Sequence, residues 1–62
     1  MVWGVDFISK ESVDNAGIAA NTYDDAVAEM KRVRTEYPWA TSAVVFNSQS
    51  TEEHEITFGT DS

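Results

Sequence analysis

The stretch from residue 22 to residue 38, Thr22-Tyr23-Asp24-Asp25-Ala26-Val27-Ala28-Glu29-Met30-Lys31-Arg32-Val33-Arg34-Thr35-Glu36-Tyr37-Pro38, decides the fold. It reads as one helix running from Thr22 or Tyr23 to Glu36. Thr22 offers a hydroxyl to cap the first turn, Asp24 and Asp25 sit where the helix dipole favours negative charge, and Lys31, Arg32 and Arg34 sit where it favours positive charge. Pro38 stops the run by lacking a donor and restricting Tyr37. Tyr23, Ala26, Val27, Met30, Val33 and Tyr37 recur at three- and four-residue spacing, which gathers them on one face. That stripe is expected to form half of the core.

Outward from the helix, the chain reads as strands. Before it, Trp3, Val5 and Phe7 alternate with Val2, Gly4, Asp6 and Ile8, and the first set is assigned to the core. After it, Thr41 to Asn47 is rich in β-branched and aromatic residues, and His54, Ile56 and Phe58 alternate with Glu55, Thr57 and Gly59. The two segments are expected to form a hairpin whose polar connection, Ser48 to Glu52, exceeds a two-residue turn. Between Lys10 and Asn21, turn-forming residues at 10–12 and 14–17 leave Gly17-Ile18-Ala19-Ala20 as the place for a short second strand, with Val13 and Ile18 as minor core contributors. The expected class is α+β: a small antiparallel sheet, three strands plus a possible short fourth, with one helix on one face, in the order β-(β)-α-β-β. Residues 1–59 are expected to form one domain, with 60–62 a frayed tail.

Sixty-two residues with 11 Asp or Glu against 4 Lys or Arg give a net charge of −7, and there is no cysteine. A chain this short buries only about 60% of the surface its unfolded form exposes, so it can form a core but has little to spare for an enclosed pocket. Neither a disulfide nor a thiolate metal site can form. The longest apolar run, Ala43-Val44-Val45-Phe46, is far short of the roughly 18 residues that span a bilayer. The opening residues lack the basic start and long apolar stretch of a secretory signal, so a cytoplasmic location is expected. Direct nucleic-acid binding needs clustered Lys and Arg to replace counterions on phosphate, and the balance here has the opposite sign. The acids are unevenly placed: residues 1–25 carry −4, residues 26–37 carry +1, and residues 38–62 carry −4.

Glu52-Glu53-His54-Glu55 invites a metal or acid–base reading, but Glu53 and Glu55 point to the opposite side of a strand from His54, and no second histidine is present to complete a site. No metal, no cofactor and no catalytic residue is therefore assigned, and an enzyme is not expected. Trp39, just after the helix stop, can serve either as a lid on the core or as an exposed binding anchor. One helix covers only one side of a sheet. By alternation the uncovered side is expected to show Val2, Asp6 and Ile8, then Ala43, Val45 and Asn47, then Glu53, Glu55 and Thr57.

That face leaves two readings. In the first, Asp6, Asp24, Asp25, Glu52, Glu53 and Glu55, with Trp39, form a negative surface that occupies the basic channel of a nucleic-acid-binding protein. Carboxylates at alternate strand positions lie about 6.8 Å apart, near twice the roughly 3.4 Å rise per phosphate along one DNA strand. Compact acidic proteins of phages and mobile elements that inhibit restriction or CRISPR systems are the class with this character, which makes a non-enzymatic anti-defence inhibitor the expected function. In the second, Val2, Ile8 and Val45 form an apolar interface through which the chain homodimerises or docks as a structural accessory module. The partner is a protein on either reading. Whether the chain is a monomer or a homodimer stays open.

Overall fold

The computed structural model describes residues 2–58. The strands are β1 (Trp3–Ile8), β2 (Val13–Asn15), β3 (Ser42–Asn47) and β4 (Glu53–Thr57), and the helix α1 (Tyr23–Val33) lies between β2 and β3. They form one antiparallel sheet in the order β2-β1-β3-β4, so the molecule is α+β as expected. The expected tail at 60–62, and Gly59, lie outside the described residues.

The helix forms where its signals stand. Thr22 is extended, and its Oγ1 accepts a hydrogen bond from the Asp25 backbone N–H at 3.1 Å, satisfying one of the otherwise orphaned donors of the first turn. After Val33 the chain tightens into one turn of 3-10 helix, Arg34–Glu36, whose last bond runs from the Tyr37 N–H to the Arg34 carbonyl. Ala26 and Met30 are buried, and Tyr23, Val27, Val33 and Tyr37 pack at the margin of the core. The ring of Tyr37 lies parallel to that of Phe7 with centroids 4.3 Å apart, and Phe58 closes the same end of the core.

Register assigns every strand residue to a face. Val5 pairs with Val45, Phe7 with Ala43, and Trp3 with Asn47, and directly paired residues share a side. All six are buried beneath α1. This corrects the expectation that Ala43, Val45 and Asn47 lie on the uncovered side. The run from Ala43 to Phe46 is apolar at every position and carries no period of two, so only pairing could choose its face. Asn47, the polar residue nearest the run, is misleading. It is buried because its side-chain oxygen accepts the Gln49 N–H at 2.8 Å and holds the hairpin loop.

The second strand also falls elsewhere than expected. On one side of β1 the outward backbone groups need partners, and after the turn closed by the Ser9 N–H on the Ser12 carbonyl the nearest chain is Val13–Asn15, which pairs despite its weak strand propensity. Gly17 then adopts φ 73°, which breaks the extended run at the place where a strand was expected. From Gly17 to Ala20 the chain only returns to β1, where Ala20 and Trp3 exchange backbone hydrogen bonds. Val13 pairs with Ile8 on the uncovered side and is 64% exposed, so it is not a core residue, whereas Ile18 packs against the core as expected.

Candidate protein-binding face

The side of the sheet away from α1 is built in three rows across the strands. Val13, Ile8, Ser42 and Thr57 form one; Asn15, Asp6, Val44 and Glu55 form the next; Gly4, Phe46 and Glu53 form the third. Each follows from the same register that buries Val45. Phe46 lies across Gly4, so closely that a Cβ at that position would stand 2.5 Å from the tip of the ring. A glycine in a strand leaves a gap, and an aromatic on the neighbouring strand fills it. Val44 sits between Asp6 on β1 and Glu55 on β4.

The charges on this face have one sign. Strands lie about 4.8 Å apart, which puts Asp6 and Glu55 roughly 10 Å from each other, and Glu53 and Glu55 stand about 6.8 Å apart along β4. These separations are close to the ~8 Å screening length at physiological salt, so the potentials of the three carboxylates overlap. Among the described residues no strand contains Lys or Arg. The Asp6 carboxylate accepts a hydrogen bond from the Asn15 side-chain amide at 2.9 Å, which orients it without neutralising it. A depression of about 280 Å³ opens on this side, lined among others by Asp6, Val44, Phe46, Glu52 and Glu53.

The residues singled out in the sequence do not gather into one site. Asp6, Glu53 and Glu55 come together, and Ile8 lies on the same side at the end of β1, with Val2 just before the strand's start. Val45 does not join them, since it is fully buried on the helix side; Val44 and Phe46 take the place assigned to it. Asp24 and Asp25 are exposed on the first turn of α1, across the sheet from Glu53 and Glu55, and there they serve the helix dipole. Glu52 stands at the lip between the two sides: it borders the depression, while its carboxylate meets His54 Nε2 at 2.8 Å. His54 is directed to the helix side, edge-on to Tyr23 at 5.0 Å.

Trp39 is neither the lid nor a neighbour of the acids. It is 37% exposed and stands edge-on to Tyr37 at 5.9 Å, beyond the core. The chain after it is held by the Thr41 N–H on the Ile8 carbonyl, at the end of β3 remote from Phe46 and Glu53. The cations cluster elsewhere as well. Arg32 pairs with Glu29 one turn back, an interaction that raises the guanidinium pKa further, and the Arg34 guanidinium lies 3.8 Å from the centroid of the Phe58 ring.

No helix among the described residues is long and apolar enough to cross a membrane. The searches of protein-family models, curated proteins and solved structures find no match for this chain.

Proposed function

We propose that this chain is a non-enzymatic binding module that lays its uncovered sheet face on the basic, nucleic-acid-binding surface of another protein, as an anti-defence inhibitor of a restriction or CRISPR effector would. One observation carries this reading: Asp6, Glu53 and Glu55 surround Val44 and Phe46 on a face with no strand cation to balance them. A solvated sheet face is normally polar, and an apolar centre with a polar border is the usual make-up of a protein interface. The sign of the border selects the partner. Carboxylates held roughly 7–10 Å apart on a rigid sheet present Lys and Arg side chains with a row of acceptors at about two to three times the roughly 3.4 Å rise per phosphate along one DNA strand.

The same apolar centre supports a second reading, a homodimer packed face to face. It sets three carboxylates from each copy against three of the same sign, and like-charge juxtaposition at an interface costs several kcal/mol. The basic partner is favoured for that reason.

The test has two stages. The purified chain is used to capture protein from host lysate and is eluted with a salt gradient. The captured protein is then assayed for nucleic-acid binding with and without the chain. The expected result is loss of nucleic-acid binding at near-equimolar chain, weakened roughly tenfold by Glu53→Gln with Glu55→Gln, a loss of ~1.4 kcal/mol. Captured protein whose nucleic-acid binding is untouched by the chain would count against the proposal.

A further inference from the structure

The two edges of the sheet differ. On β2, three residues are paired before the Gly17 turn leads the chain away, so that edge is short and blunted. On β4, five residues run without proline or bulge, and no described strand covers their outer side.

The hydrogen-bond pattern shows which groups that outer side presents. Asn47 N–H bonds the Glu52 carbonyl at 3.0 Å, and Phe58 N–H bonds the Thr41 carbonyl at 3.0 Å. In an antiparallel ladder bonded and non-bonded pairs alternate, so between these two anchors the bonded pairs are Val45 with His54 and Ala43 with Ile56. The N–H and C=O of Glu53, Glu55 and Thr57 therefore face away from β3. The residues that offer their backbone at the edge are the ones whose side chains lie on the acidic face. A strand added here would bond to Glu53, Glu55 and Thr57 and set its own directly opposed side chains beside two carboxylates.

We infer that the outer edge of β4 takes up an extended segment of the partner protein with Lys or Arg at alternate positions, as an added strand. The inference deepens the reading of the acidic face given above and rests on it. Charge decides the occupant. A second copy pairing antiparallel about Glu55 places Glu55 against Glu55, and like charges directly opposed across strands are destabilising. Glu53 and Glu55 thus disfavour self-pairing about Glu55 and leave the edge open to a basic strand.

The test uses the heptapeptide Lys-Val-Lys-Val-Lys-Val-Lys and amide exchange followed by NMR. At saturating peptide, exchange at the Glu53, Glu55 and Thr57 amides is expected to slow at least tenfold, and Lys-Lys-Lys-Lys-Val-Val-Val, of equal charge, is expected to give a smaller effect. Thr57→Pro removes one outward donor, keeps every carboxylate, and places proline where an edge strand tolerates it; it is expected to weaken the alternating peptide about tenfold with a native-like spectrum. Peptide binding that shifts Asp6, Val44 and Phe46 without slowing the three amides would overturn the added strand and leave the acidic face standing. Slowed exchange at the same amides in free protein as concentration rises would overturn it in favour of a second copy. Absence of peptide binding would overturn it too, while the acidic face would still be judged by inhibition of the captured protein.

Discussion

Val44 and Val45 are adjacent valines with opposite fates, and the difference is the sharpest statement the structure makes at the scale of one residue. Val45 is fully buried against Val5 beneath the helix, whereas Val44 lies on the uncovered face between Asp6 and Glu55. Val45→Lys is therefore expected to unfold the protein. A buried unpaired charge costs more than about 4 kcal/mol, comparable with the roughly 3–9 kcal/mol total stability of a chain this size. Val44→Lys is expected to keep a cooperative melt within a few degrees of the parent and to weaken partner binding. Circular dichroism on the two variants checks both, and the reverse order would place β3 in the other register. Gly4 offers a second check. A methyl group there meets the Phe46 ring, so Gly4→Ala is expected to cost about 1 kcal/mol. In a Phe46→Ala background the same change is expected to become neutral or stabilising by roughly 0.5 kcal/mol, since a strand prefers alanine to glycine.

Among the elements, the helix was the most legible, because cap, dipole charges, apolar stripe and stop all agree over residues 22–38. Its cap should be measurable: Thr22→Ala is expected to lower stability by about 1 kcal/mol in a thermal melt, and no change would mean that the Asp25 N–H finds another acceptor. β1 was legible for the same reason, a clean alternation from Trp3 to Phe7. β3 was not, because four apolar residues in succession hide the period that names a face, and Asn47 is buried by its bond within the hairpin loop. β2 was not either. Asp14 and Asn15 have little strand preference of their own and are extended because β1 needs partners. The candidate site inherits this pattern: Asp6, Glu53 and Glu55 stand on strands whose alternation is visible in the sequence, and Val44 and Phe46 stand on the strand whose alternation is not. Charge alone groups Asp24 and Asp25 with the site, and only the layering of helix on sheet separates them from it.

At the scale of the whole molecule, the sheet divides the acids of the described residues in this chain of net charge −7 into two different environments. On the helix side, Asp24, Asp25 and Glu29 are met by the dipole of α1 and by Arg32; on the other, Asp6, Glu53 and Glu55 meet no strand cation. Replacing Glu53 and Glu55 by Gln is therefore expected to leave the melting temperature unchanged or slightly raised, because it relieves repulsion and removes no buried contact. Asp24→Asn with Asp25→Asn is expected to lower stability by up to about 1 kcal/mol through the helix dipole and to leave partner binding intact. The most direct measurement of the central claim compares these two double variants in one assay, inhibition of nucleic-acid binding by the protein that the chain captures, across a series of salt concentrations. The expected result is inhibition that falls as salt rises, is weakened roughly tenfold in the Glu53 and Glu55 variant, and is unaltered in the Asp24 and Asp25 variant. Equal inhibition by all three proteins, or inhibition independent of salt, would contradict a functional acidic sheet face.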